Sequence, residues 1–235
     1  MKKSLLGIYN KLYDRFGPQD WWPGDTAFEI IVGAILTQNT AWANVEKAIY
    51  NLKKHKLLSS RKLSRTKPSK IADLIRPSGY YNIKACRLLN FINYLNTEYG
   101  GNLKKMFKEK TDALRKRLLG IKGIGPETAD SILLYAGDKP VFVVDAYTKR
   151  IFSRYGLLSE GASYDEIQRL FLHNLPKSVK LYNEYHALVV RAGKDWCRKK
   201  PKCRLCSLQK GCRYAKILIK NTSKDIEKAE IAIAN

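Results

Sequence analysis

The chain is short of acidic residues: 21 Asp and Glu stand against 44 Lys and Arg in 235 residues, for a formal net charge of +23. So large an imbalance excludes a neutral surface and favours a polyanionic partner. The sequence also lacks an apolar run long enough to cross a bilayer and any lipid-attachment motif, which makes nucleic acid a better partner than a membrane surface. Met1-Lys2-Lys3 opens as an export signal would, but Asn10 and Lys11 cut the apolar stretch from Leu5 to Tyr9. No leader is read, and a cytoplasmic location is expected. Internal repeats and low-complexity tracts are missing too, and the length suits one large or two small cored domains. Five cysteines, four of them crowded into sixteen residues, do not make a disulfide framework in a chain of this size.

Strand patterns are equally scarce. Leu5, Ile8, Tyr9, Leu12, Tyr13 and Phe16 form one helical stripe that stops at Gly17-Pro18, and Thr26-x-x-Glu29 and Ser163-x-x-Glu166 read as capping boxes. Further helices are expected near residues 41–54, 70–76, 83–97, 111–119, 126–136, 146–155 and 178–191. Val141-Phe142-Val143-Val144 alone has the composition of a strand, and it fits a buried connector as well. The expected class is all-α. Arg213 to Asn235 reads either as a closing helix or as a frayed tail.

Three features carry chemistry. Ile121-Lys122-Gly123-Ile124-Gly125-Pro126-Glu127-Thr128-Ala129 is a glycine hairpin opening onto a helix; both glycines permit backbone angles closed to other residues, and Pro126 is pre-set for a first helical position. Bare N–H groups and the positive end of the helix dipole there suit a phosphate, although a tight turn between helices would look the same. Asp145, after an apolar run and ahead of a helix, is an N-cap or a catalytic carboxylate. Cys197-x5-Cys203-x2-Cys206-x5-Cys212 offers four thiolates, suited to a [4Fe–4S] cluster or to a tetrahedral zinc.

Leu119 to Ala129, Val143-Val144-Asp145 and the four cysteines, in that order, resemble the helix-hairpin-helix DNA glycosylases of the endonuclease III superfamily. The resemblance implies an all-α, two-domain protein that clasps damaged double-stranded DNA, acts as a nucleoid-associated monomer and carries a four-cysteine iron–sulfur loop. It implies a helical domain over residues 22–136, a second domain of 1–21 plus 137–235, and a cleft between them. Gly123, Gly125, Lys122 and Thr128 would meet the DNA backbone and Asp145 the flipped nucleotide. The first cysteine gap is five residues where the family has six, so zinc stays open as the alternative metal. Lys199, Lys200, Lys202 and Arg204 would form a basic ridge on the cysteine loop.

One expected residue is missing. Family members that also cleave the strand carry a lysine on the second hairpin helix, whose amine attacks the sugar; this chain has Glu127 there, and a carboxylate cannot form an imine. That departure implies a monofunctional glycosylase in which Asp145 activates water, with Lys122 and Lys149 as candidate substitutes. Trp21-Trp22-Pro23 and Leu36-Thr37-Gln38-Asn39-Thr40-Ala41-Trp42 resemble the 3-methyladenine branch, where such segments shape an aromatic base pocket; core packing is the ordinary alternative for a tryptophan. Gln38 aligns with the glutamine that relatives insert into the base stack, with Asn39 beside it at the DNA. A polar turn with Thr40 as an N-cap is the other reading. Cys86 is expected as a packed helix thiol, and His186 as a structural residue on an apolar helix, with a role near the cleft as its other reading. Two further functions compete: a glycosylase and lyase for oxidised pyrimidines, and a catalytically silent binder of distorted DNA.

Overall fold

Short polar side chains set where six of the helices begin. The computed structural model describes residues 2–21, 24–159 and 161–221, and every regular element among them is helical. In order these are α1 (Lys2–Phe16), α2 (Ala27–Leu36), α3 (Trp42–Lys54), α4 (Ser60–Leu63), α5 (Pro68–Leu74), α6 (Tyr81–Tyr99), α7 (Leu103–Phe107), α8 (Thr111–Leu119), α9 (Pro126–Ser131), α10 (Ala146–Tyr155), α11 (Tyr164–Asn174) and α12 (Val179–Asp195), with a last helix over 213–221. Ser59, Asn102, Asp145, Ser163 and Ser178 each accept the backbone N–H three residues on, meeting one orphan donor of the helix that follows. Ser163 and Glu166 complete a capping box. Thr26 makes only half of one, because the Glu29 carboxylate is drawn instead to Lys53 Nζ at 2.7 Å. Helix α3 is preceded by Ala41 with no side-chain cap, so Thr40 does not have the capping role expected of it. Beyond α9 the chain widens into a π-helical turn over Ile132–Ala136.

The chain forms two compact units, one of Met1–Trp21 with Phe142–Asn235 and the other of Trp22–Val141. In the second, the apolar faces of α2, α3, α5, α6 and α8 close on a core that includes Ile31, Ile35, Leu52, Leu88, Phe91 and Leu118, all fully buried. Residues 137–141 stay with this unit. Lys139 donates its N–H to Leu133 O at 2.9 Å and its ammonium to Glu109 O at 2.7 Å. On α6 the buried stripe passes through Lys84, Ala85 and Leu88, which turns Cys86 outward; the thiol is exposed, not packed as expected.

The other unit has an aromatic centre. Phe142 stacks on Phe171 with centroids 3.8 Å apart, and Tyr182 and Tyr185 meet Phe142 edge-on at 5.7 and 5.9 Å. Residues 142–144 form no strand, because side chains satisfy their backbone: Gln168 Nε2 donates to Phe142 O at 2.7 Å, and Val144 N–H donates to the Tyr164 hydroxyl at 3.3 Å. No helix among the described residues is long and apolar enough to cross a membrane.

Candidate functional site

The hairpin joins α8 to α9. Gly123 has φ +98°, and a Cβ there would run into the Arg87 side chain, so this position needs glycine twice over. Gly125 does not share the first requirement. Its φ of −92° is open to any residue, which corrects the expectation that both glycines have special backbone angles. Apart from its own chain neighbours, no atom of the described residues lies within 4 Å of where its Cβ would be, so the space beside this stretch of backbone is open. Arg115 on α8 grips the fully buried Asp130 on α9 through Nε and Nη2, at 2.7 and 3.0 Å, and fixes the angle at which the hairpin opens. Asn90 Nδ2 donates to Lys122 O at 2.9 Å, and the Lys122 side chain is exposed. Glu127 is exposed in the first turn of α9.

The turn after α2 is tied to this hairpin. Gln38 Nε2 donates to Gly123 O at 3.0 Å and to Thr128 Oγ1 at 2.9 Å, while its Oε1 accepts from Arg87 Nη1. Thr128 is itself buried, its hydroxyl turned to Gln38. Asn39 is exposed and sits in the left-handed region at φ +54°. A second tie comes from Lys84, 1 % exposed, whose ammonium donates to Leu36 O at 2.8 Å and Ser78 O at 2.6 Å. Burial, with the Arg87 charge added, pulls its pKa down to about 8. It holds the end of α2 against the loop that enters α6. There stands Tyr80, 69 % exposed at φ +46°, with Ile83 exposed one turn on. Sequence reasoning missed Tyr80; its signal was an aromatic directly after Gly79 at a helix start.

Asp145 heads α10. It caps the helix as one reading of the sequence held, with Oδ1 accepting from Thr148 N–H at 2.7 Å and Thr148 Oγ1 at 2.8 Å. Its other oxygen faces His186 Nε2 on α12 at 3.5 Å. Burial raises the carboxyl's pKa, but His186 and the two Thr148 donors outweigh it and hold the group below the ordinary aspartate range. The Trp21 ring stacks on the His186 imidazole, with centroids 5.5 Å apart and planes 15° off parallel. Lys149 is exposed on α10.

The remaining tryptophans divide. Trp42 belongs to the other unit, where its ring packs over Gly33 against the core. Trp22 and Pro23 lie outside the described residues. Trp196 is buried and stacks on Phe16 at 4.4 Å.

Cys197, Cys203, Cys206 and Cys212 all line one small cavity of about 30 Å³, walled by Ile151, Trp196 and Leu208. Among the described residues no three His, Cys, Asp or Glu side chains converge on a single point as one metal ion requires. All four thiols share the lining of that one cavity, and four thiolates suit an iron–sulfur cluster or a zinc ion. Arg150 and Arg154, one turn apart on α10, fasten the start of the loop: Arg150 Nε donates to Cys197 O at 2.6 Å and Arg154 Nη1 to Arg198 O at 2.7 Å. Burial and the neighbouring thiols push the Cys203 thiol up and that of Cys206 to about 11.

These features have parallels in known proteins. The sequence signature of the HhH-GPD superfamily of base excision DNA repair proteins matches residues 32–177. A Methanocaldococcus jannaschii protein with the provisional name DNA repair glycosylase is 52% identical over 212 residues, covering 89% of this chain and 96% of its own. The H. pylori 3-methyladenine DNA glycosylase, solved with 1,N6-ethenoadenine, superposes with a TM-score of 0.71 at 32% identity over 82% of this chain and 96% of that one. An endonuclease III trapped covalently on DNA shares the fold, with a TM-score of 0.81 at 21% identity over 93% of this chain and 99% of that one. With a family signature over more than half its length and a relative half identical along most of it, the chain belongs to the HhH-GPD superfamily of base excision DNA repair proteins.

Proposed function

We propose that this protein is a monofunctional DNA glycosylase, hydrolysing the N-glycosidic bond of a flipped, damaged base, with an alkylated purine such as 3-methyladenine as its substrate class. The observation that carries the reading is Asp145: a largely buried carboxylate with Oδ1 anchored by Thr148 and Oδ2 turned to His186, surroundings that lower its pKa. Cleaving the bond develops positive charge on the sugar, and a fixed anion in a dry site stabilises that charge without reorganising. An alkylated purine already carries positive charge, so it departs with the bonding electron pair as a neutral base and needs little acid catalysis. Water then adds to the sugar carbon and gives its proton to Asp145 Oδ2. Glu127, in place of an attacking lysine, supports hydrolysis over imine chemistry. The stack of Trp21 on the partner of Asp145 supports an aromatic surface for a cationic base, as does the likeness to the 3-methyladenine enzyme.

The unit Trp22–Val141 then grips the DNA backbone, through the N–H groups beside the open face of Gly125 and through Lys122. Asn39 and Tyr80, both exposed, enter the duplex as the base leaves, whereas Gln38 would first have to release three hydrogen bonds. The other unit carries the chemistry, and its Cys197, Cys203, Cys206 and Cys212 would hold a [4Fe–4S] cluster, whose chemistry when bound is that of a closed, fully ligated centre that stiffens the loop. Lys199, Lys200, Lys202 and Arg204 ride on that loop as phosphate contacts. The test is incubation with methylated duplex DNA, chromatography of released bases, and strand gels before and after alkali. Released methylpurine with nicking only after alkali is the expected result; direct nicking, or a covalent adduct trapped by borohydride, would overturn the monofunctional reading.

A further inference from the structure

His186 is 5 % exposed, buried on the apolar face of α12, and its imidazole is bounded by two groups of interest: the Trp21 ring on one face and Asp145 at the edge. The two oxygens of Asp145 are treated differently. Oδ1 already takes two donors from Thr148, at 2.7 and 2.8 Å, and is occupied in holding the start of α10. Oδ2 is therefore the oxygen with capacity to act on a water or a developing cation, and the group facing it is His186 Nε2 at 3.5 Å. A buried carboxylate costs several kcal/mol when left without a donor, and its direction in space is set by whatever holds its second oxygen. The Trp21 stack fixes the plane of the imidazole, so the ring cannot rotate its edge away from Oδ2 without losing that contact.

We propose that His186 is a positioning residue for the reaction: it carries its proton on Nε2, presents it to Asp145 Oδ2, and with Trp21 behind it aims that oxygen at the site of attack. The inference rests on Asp145 being the catalytic carboxylate. It adds a working pair assembled from α10 and α12, with the segment after α1 as its backing.

Three variants of the full-length protein test it on lesion duplex in single turnover, with duplex affinity and melting temperature measured alongside. His186→Ala should slow base release about 10- to 100-fold, the worth of a hydrogen bond to a charged group, with duplex affinity unchanged. His186→Gln, whose amide can place a donor near the position of Nε2, should recover most of that loss. Asp145→Asn should abolish release. If His186→Ala releases base at the wild-type rate while Asp145→Asn does not, the positioning role is wrong and Asp145 stands. If both His186 variants are slowed alike with lower melting temperature or weaker duplex binding, His186 is structural and the proposal fails. If Asp145→Asn keeps full activity, the assignment of Asp145 fails and takes this inference with it. Long-range 1H–15N NMR of the imidazole gives a readout independent of activity: a proton on Nε2 is expected, and an Nε2 without one overturns the pairing.

Discussion

Gln38 and Asn39 are neighbours with opposite surroundings, and exchanging each for a residue without its side chain should separate stability from DNA work. Gln38→Ala removes donors to Gly123 O and Thr128 Oγ1 and the acceptor for Arg87. At about 1 kcal/mol for each neutral hydrogen bond and about 1.5 kcal/mol for the charged one, and discounting for partial exposure, the loss is about 2–3 kcal/mol. In a protein of this size that lowers the melting temperature by about 5–10 °C. Asn39→Gly removes an exposed side chain at φ +54°, where glycine is at ease, so stability should stay within about 0.5 kcal/mol. If Asn39 fills the gap left by a flipped base, that variant should nonetheless slow base release about tenfold or more, since refilling an opened stack is worth a few kcal/mol. Thermal and urea denaturation read the first quantity, and single-turnover release on lesion duplex the second. A Gln38→Ala protein as stable as wild type would refute the tie, and an Asn39→Gly protein with wild-type release would refute the division of labour.

Asp145→Asn should keep the cap, since asparagine caps well, and lose base release. Because the folded-state pKa of Asp145 is depressed, its ionisation contributes stability that is complete above the ordinary carboxylate range and is lost as pH falls through the lower folded value. The stability difference between wild type and Asp145→Asn should therefore shift against wild type below about pH 4; a difference that does not change there would contradict the depressed pKa. Arg115→Met should cost about 3–5 kcal/mol by removing the guanidinium from the fully buried Asp130, visible as a collapse of the urea midpoint, and an effect under about 1 kcal/mol would show that the pair does not hold the hairpin. Anaerobic purification should yield a coloured protein with about four irons per chain, and Cys203→Ser should lower that content. A colourless protein with one zinc would instead point to the zinc alternative.

Much of the helical framework was legible because its signals are local. Asp145 and Gly156 bracket α10 so closely that the expected range 146–155 coincides with the helix, and Ser163 with Glu166 does the same for the start of α11. Short helices such as α4 and α7 were not legible, since four or five residues hold too little periodicity to stand out from a polar loop. The apolar residues at 141–144 show the limit of composition. They read equally as strand or connector, and what decides is that Gln168 and Tyr164 reach across from α11 to satisfy their backbone.

The sequence by itself determined the all-α class, the hairpin, the candidate carboxylate and the four-thiol set, because each is a statement about residue type and spacing along the chain; that Glu127 stands where relatives carry a lysine came from the family resemblance. Only the tertiary structure decided what those residues do to one another. It brought His186 to Asp145 and Trp21 to His186, drew Gln38 into the hairpin while leaving Asn39 out, and turned Cys86 to the surface. Lys84 could not be read from the chain as a clamp on Leu36 and Ser78, because a buried ammonium is tolerable only where folding supplies carbonyl oxygens from elsewhere in the chain. Pairings of that kind depend on which helix faces meet, and no periodicity within one segment encodes them.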